Sequence, residues 1–401
     1  MSGSSLNSSD SIISERWYWL DWLRVLAMVT IFLYHSGRPF VVFEWHIMDA
    51  EPDMVFTLVN IFVTGWIMPL FFVISGMATY FSLARRSPRQ FAISRIKRLV
   101  IPFIFALFVI IPAHAYFEAL FNGFTGSFLD FYFNWYFIIR GQFGGVFPFD
   151  FYLRPTYFAG ADQGIYLWYL FWLFVYSLVT AHFFRWLRSE ENRSRISKLA
   201  AVSNRLGGIF LLAIPLVITD IVALPPFFVF PSGYGGWKLP SYLVFYILAY
   251  VLASDPQFKQ SIAKNGVPAL VIGIVTSILI IVFATVIGVE ALTITPFYVL
   301  LSIVWALNGW CWVIAILSFG QRRLNFNHVW LQLSNELVLP FYVLHQTVIV
   351  MMAFYVVGMN LNVIFKYLII VSSSFAIIGM LLVPIRKINV LRFLFGMRLN
   401  R

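Results

Sequence analysis

Long apolar runs separated by short polar breaks dominate the chain, and they are too long and too uniform for the half-buried helices of a soluble core. Ten runs read as membrane crossings, over residues 17–36, 56–82, 99–120, 164–185, 206–224, 240–254, 267–289, 293–319, 337–357 and 363–385. Most approach the ~20 residues that a helix needs to cross the hydrocarbon layer. The polar breaks differ in charge. One set holds Arg85, Arg86, Arg89, Arg95, Lys97 and Arg98, then Arg185, Arg188, Arg193, Arg195, Lys198 and Arg205, then Lys259 and Lys264, then Arg322 and Arg323, and the tail from Arg386 to Arg401. The opposite set holds little beyond Arg38, Arg140, Arg154, Lys238 and Lys366. An unbroken alternation of this kind predicts ten helices with both termini in the cytoplasm, because basic loops stay inside. The expected fold is therefore an all-α polytopic membrane protein, a bundle of about ten transmembrane helices around a central polar cavity. Residues 1–16 form a polar cytoplasmic segment, 17–385 the membrane domain and 386–401 a basic cytoplasmic tail.

Composition supports the class. Hydrophobic residues make up 61% of the 401 residues and charged residues only 11%, where a soluble domain carries about 25% charged. Mean hydropathy is +0.84. The segment Met1–Ser14 is rich in serine and lacks a basic start, and the first apolar run is too long, and too interrupted by Arg24, for a removable signal peptide. The net charge of +11 is accounted for by the basic inner loops, so no nucleic acid partner is expected. Cys311 is the single cysteine and lies in an apolar run, which leaves no internal disulfide to form. The expected location is a bacterial inner or plasma membrane, crossed many times.

Two outer connections are unusually apolar. Residues 121–164 are dense in Phe, Tyr and Trp and read as an interfacial segment or a lid. Residues 225–237 carry the Pro and Gly of an irregular cap.

The first apolar run, residues 17–36, contains a cation and an imidazole. Arg24 and His35 are eleven residues apart, about three helical turns, so they share one face and lie roughly 16 Å apart along the axis. A buried cation costs at least ~2.5 kcal/mol on insertion scales and normally faces protein or a wet cavity. The plainer reading is that Arg24 reaches back to the interface and His35 sits at the opposite one, and Asp21, three residues before Arg24, is placed to pair with it. Arg95 and Arg98 lie one turn apart before the third run, an arrangement suited to holding phosphates with paired donors, or else to ordinary anchoring. In the ninth run Pro340 should kink the helix, and Tyr342, His345 and Gln346 follow as a polar stripe. That stripe serves either chemistry or interhelical bonding. Ser75 and Gly76 suggest close helix packing. His114, His182 and His328 lack partners at useful spacing and read as structural, whereas Asp220, Glu44 and His46 are placed to serve an outer-facing pocket. No HExxH, CxxC pair, Walker A loop or GxGxxG opens a helix, so no metal site and no nucleotide chemistry is expected.

Taken together, these residues resemble the acyltransferase 3 family of integral membrane acyltransferases. The likeness rests on Leu20-Asp21-Trp22-Leu23-Arg24 followed by Tyr34-His35, Phe71-Phe72-Val73-Ile74-Ser75-Gly76, Arg95-x-x-Arg98, Trp168-Tyr169-Leu170, and Tyr342-x-x-His345-Gln346, in that order. The opening of the chain and Glu44-Trp45-His46-Ile47 are most similar to the branch that includes glucan-succinylating enzymes. The resemblance implies transfer of an acyl group from cytoplasmic acyl-CoA, with acetyl-CoA or succinyl-CoA as donor, to a hydroxyl of a carbohydrate outside the membrane. No fused extracytoplasmic esterase-like domain is visible, so the chain either completes the transfer or hands the acyl group to a separate extracytoplasmic acceptor protein. On this reading Arg95 and Arg98, helped by Arg24, hold the coenzyme A phosphates. His35 acts as general base or as nucleophile, and His345 and Tyr342 orient it or stabilise the oxyanion. The rival class is a transporter or flippase that moves a polar or anionic solute along the same path with no covalent step.

Overall fold

The computed structural model describes residues 16–133, 166–222, 238–287 and 295–400, and every regular element among them is helical. In chain order they are α1 (Tyr18–Gly37), α2 (Met54–Thr64), α3 (Ile67–Ala84), α4 (Pro88–Arg95), α5 (Ile101–Val109), α6 (Ile111–Phe121), α7 (Trp168–Leu187), α8 (Glu190–Ser203), α9 (Ile214–Val222), α10 (Leu239–Leu252), α11 (Pro256–Val282), α12 (Thr295–Arg323), α13 (Val329–Val356), α14 (Val363–Lys387) and α15 (Asn389–Leu394). Among the described residues seven stretches are long and apolar enough to cross a bilayer: Met54–Ala84, Pro88–Phe121, Trp168–Leu187, Pro256–Val286, Pro296–Arg323, Val329–Val356 and Val363–Lys387. This is a multi-pass membrane protein. Gly208–Val222 and Leu239–Leu252 are shorter apolar helices, and α1, with Asp21 and Arg24 in its first two turns, is less apolar than the seven. Residues 1–15, most of the aromatic connection expected over 121–164 (from 134 on), and the 225–237 cap lie outside the described residues.

Prolines and buried polar side chains decide where the apolar runs break. The run expected as one helix over 56–82 is two, α2 and α3. Pro69 has no N–H to offer the Gly65 carbonyl, and a Cβ on Gly65 would stand 2.5 Å from Asn308 Oδ1, so the chain turns at the point where α12 presses closest. The third run starts earlier than expected, at Pro88, because Ser87 and Gln90 form a reciprocal capping box. It passes through a π turn at Ile96–Val100 and breaks again at Ile110. There Pro112 leaves the Phe108 carbonyl without its helical donor, and the Tyr132 hydroxyl donates to that oxygen at 3.1 Å.

Small residues let the helices approach closely. A Cβ on Gly76 of α3 would lie 2.3 Å from the Tyr246 carbonyl oxygen and 2.7 Å from Ala249 Cβ on α10. The first of these obstacles is backbone and the second is fixed to it, so neither can swing aside. Gly76→Ala should therefore cost about 1–3 kcal/mol through overpacking, read as a lower melting temperature of the detergent-solubilised protein; an unchanged melting temperature would mean that α3 and α10 slide apart freely. On the other side of the bundle, Leu23 of α1 packs against Gly320 of α12.

Two buried ion pairs pin connecting segments. Lys366 at the start of α14 donates to Asp49 at 2.6 Å and to the Val357 carbonyl at 2.8 Å. Asp220, expected to serve a pocket, is held by Lys238 and Ser241 and with them lines a small cavity beside Tyr242 and Trp305. At the end of the chain Arg392 of α15 is buried and donates to Glu336 of α13 at 2.5 Å and to the Arg386 carbonyl at 2.9 Å. The basic tail therefore docks on α13.

Candidate active site

The site is built along the contact between α1 and α13. On α1 the residues Arg24, Met28, Ile31 and His35 succeed one another at steps of three or four, which puts them on one stripe, and Met28 and Ile31 are buried. Arg24 Nη1 donates to Asn335 Oδ1 of α13 at 3.0 Å, and the His35 ring lies 5.2 Å from the His345 ring, also on α13. Asn335 and His345 are ten residues apart, about 15 Å along a helix, which matches the rise between Arg24 and His35. Both ends of the polar stripe thus face one partner helix.

The Arg24 end is a closed charge network. Asn335 Nδ2 donates to Asp21 Oδ1 at 2.7 Å, Arg24 Nη1 lies 3.4 Å from the same oxygen, and Arg16 Nη2 reaches Asp21 Oδ2 at 3.0 Å. The expected pairing of Asp21 with Arg24 is present, with an amide from α13 as the third member.

The His35 end differs, because its nitrogens are left over. Nδ1 of His35 and Nε2 of His345 are both buried and have no hydrogen-bond partner among the described residues. His345 Nδ1 lies 2.6 Å from the Tyr342 carbonyl oxygen. A carbonyl only accepts, so the proton sits on Nδ1 and Nε2 keeps its lone pair. Tyr342 also stacks on His345, at 5.4 Å between ring centroids, and its hydroxyl donates to the Tyr166 carbonyl at 3.0 Å. Tyr166 in turn donates to the Val343 carbonyl at 2.5 Å and meets Thr347 at 3.1 Å. The stretch at the start of α7 therefore clamps the middle of α13, where Pro340 leaves the Glu336 carbonyl without its helical N–H. Trp45 completes the wall, its ring nearly parallel to that of His35 at 6.4 Å.

Beyond His345 lies a group that spacing did not join. His46 Nδ1 is 2.8 Å from Glu118 Oε2, His114 Nε2 is 3.8 Å from the same oxygen, and His46 Nε2 is 3.1 Å from Gln346 Nε2. His114, read above as a partnerless structural residue, belongs to this group. Its signal was the His114-x-x-x-Glu118 spacing, which places both on one face of α6. His46 arrives from the connection between α1 and α2. That connection is folded into the core by Asp49 N–H to the Pro39 carbonyl, Asp53 N–H to the Phe40 carbonyl, and the Asp53 side chain capping α2. His328 is structural as expected, capping α13 through the Trp330 N–H.

The two arginines before α5 take different environments. Arg95 is half-buried, donates to Thr79 Oγ1 at 2.8 Å and lies over the Phe91 ring, whereas Arg98 is exposed. The shared face assumed α-helical spacing, and the π turn at Ile96–Val100 changes that spacing between the two residues. Even so, Arg95 and Arg98 lie close enough to Arg24 and Arg86 for the charges to act on one another. Thr79 also meets the Tyr246 hydroxyl at 2.7 Å, and Ser75 meets the Tyr169 hydroxyl at 2.7 Å. Ser75 and Thr79 of α3, Tyr169 of α7 and Tyr246 of α10 thus form a band of hydroxyls that begins at Arg95.

A family model described as an acyltransferase domain matches residues 17–385. Curated relatives include the glucans biosynthesis protein C of Escherichia coli (strain SMS-3-5 / SECEC), 33% identical over 94 residues, which is 23% of this chain and 24% of that protein. The proteins of the same name from Escherichia coli O1:K1 / APEC and O139:H28 (strain E24377A / ETEC) are 32% identical over the same lengths. The match spans about a quarter of these relatives. No solved structure matches the chain. With the family model covering nearly the whole membrane region, this chain belongs to the acyltransferase 3 family of membrane acyltransferases.

Proposed function

We propose that this protein moves an acetyl or succinyl group from cytoplasmic acyl-CoA to a hydroxyl of an extracytoplasmic carbohydrate, such as a cell-envelope glycan. The observation that carries the reading is the pair of facing imidazoles, His35 and His345, each with a buried nitrogen that the fold does not use. Burying an unpaired polar atom costs about 1–3 kcal/mol, and a member of an acyltransferase family has a use for bases kept free at such a cost. The name shared by the curated relatives favours a glucan as acceptor. The alternation of basic loops favours ten crossings with both termini in the cytoplasm, which puts the Arg95 end inside and the His35 end towards the outside.

On this reading Arg95 and Arg98, with Arg24, hold the phosphates of coenzyme A, and the pantetheine arm runs past the hydroxyl band to the histidines. His35 takes the proton of the acceptor hydroxyl as that oxygen attacks the thioester carbonyl carbon. The C–S bond then breaks, and the thiolate leaves with the imidazolium proton as free CoA. His345, held by the Tyr342 carbonyl, and Tyr342, held by Tyr166, keep the ring opposite His35 in place. The two guanidiniums supply the test of the donor end. Charge-assisted hydrogen bonds are worth ~1.5–3 kcal/mol, so Arg95→Ala should raise the KM for acyl-CoA roughly 10- to 100-fold, with a smaller change in kcat. Steady-state release of CoA by the purified protein measures this, and an unchanged KM would remove Arg95 from the donor site.

A further inference from the structure

We infer that His46, His114 and Glu118 form a binding site for one divalent cation of the zinc class. The inference goes beyond the acyl-transfer reading and does not depend on it. The three ligand atoms come from two separate segments, 72 residues apart at His46 and Glu118, and all lie within 4.8 Å of one another. Zinc ligands at ~2.0–2.2 Å from a tetrahedral ion sit about 3.3–3.6 Å from each other. The separations of 2.8 and 3.8 Å from Glu118 Oε2 straddle that range.

Charge gives the second argument. His46, His114 and Glu118 are 6%, 4% and 4% exposed, and a buried carboxylate must be paired or must coordinate a cation. The ion-pair partners of Glu118 among the described residues are the two imidazoles. Both direct a nitrogen at the same carboxylate oxygen. Each neutral imidazole can offer that oxygen its own N–H, whereas a divalent cation accepts a lone pair from all three groups and balances the carboxylate charge.

The third argument is the tautomer. Gln346 places its Nε2 against His46 Nε2 and leaves its own buried Oε1 without a partner. The two ends of an amide have the same shape, and their assignment follows from the hydrogen bonds they make. Turned end for end, Gln346 Oε1 accepts from His46 Nε2–H. That exchanges a partnerless amide oxygen for a partnerless amide nitrogen and leaves His46 Nδ1 with the lone pair that a metal ligand needs, the outer hydrogen bond fixing the ring as in other metal-bound histidines. Two imidazoles and a carboxylate suit zinc rather than magnesium or calcium, which take all-oxygen sets.

The test uses the full chain in detergent, with any affinity tag removed, stripped with a chelator and then dialysed against Zn2+. Elemental analysis should find about one zinc per chain, and Zn2+ but not Mg2+ should raise the melting temperature. His114→Ala and Glu118→Gln should each weaken zinc binding roughly ten-fold or more. Should either variant fail to fold, Co2+ added to the stripped wild-type protein gives the answer alone, through the visible absorption of cobalt in a low-coordinate nitrogen and oxygen site. A wild-type protein that retains no zinc and shows neither thermal nor optical response would overturn the site. So would folded variants that bind zinc as tightly as the wild type.

Discussion

His35→Ala should lower acyl transfer by roughly 10²–10⁴, the usual contribution of a positioned general base, without a matching loss of protein. The ring is removed from the last turn of α1, where its Nδ1 makes no hydrogen bond, so the fold loses little when it goes. The split between the kinetic constants is part of the expectation. The loss belongs in kcat, and the KM for acyl-CoA should stay near its wild-type value if, as proposed, the phosphates bind about 16 Å away, at the Arg24 end of the stripe. The measurement is CoA release at equal amounts of folded protein, with acylated product followed by mass spectrometry. Wild-type turnover in His35→Ala would show that the free nitrogen is incidental.

The second large effect is on stability. Lys366→Ala should destabilise the protein by about 3–5 kcal/mol, because it strands the buried Asp49 carboxylate without its cation. The 2.6 Å contact also ties the connection that carries Trp45 and His46 to the start of α14, so activity should fall with the fold at this position. The double variant Asp49→Ala/Lys366→Ala should recover much of the loss, since it removes both charges together. Melting temperatures of the two single variants and the double variant form a cycle that isolates the coupling. Additive losses would place the pair in a wetter setting than its burial indicates.

What was legible in the sequence was whatever depends on neighbours along the chain. The apolar runs, the common face of Arg24 and His35 and the close approach at Gly76 all follow from periodicity and residue size. The partners of those residues do not. Asn335, which completes the Arg24 network, is 311 residues away, and Gln346 is 300 residues from His46. Glu118 meets His46 only because the connection after α1 folds inward, which no local spacing shows. The break between α2 and α3 was hidden for the same reason, since it is Asn308 on a distant helix that presses on Gly65. The π turn between Arg95 and Arg98 left no mark in the spacing, and it turned an assumed twin clamp into one half-buried and one exposed guanidinium. Local pattern finds the faces, and tertiary contact decides which polar atoms on them are spent and which stay free.

The central claim is that an acyl group enters at the Arg95 end and leaves at the His35 end, and it is tested most directly in inverted membrane vesicles that retain envelope glycans in the lumen. Radiolabelled acetyl-CoA or succinyl-CoA is supplied only to the exposed cytoplasmic face. The account predicts base-labile label on lumenal carbohydrate, with free CoA left outside, and predicts that both vanish in vesicles carrying His35→Ala. Intact thioester with no labelled carbohydrate, or labelling that persists without His35, would contradict it.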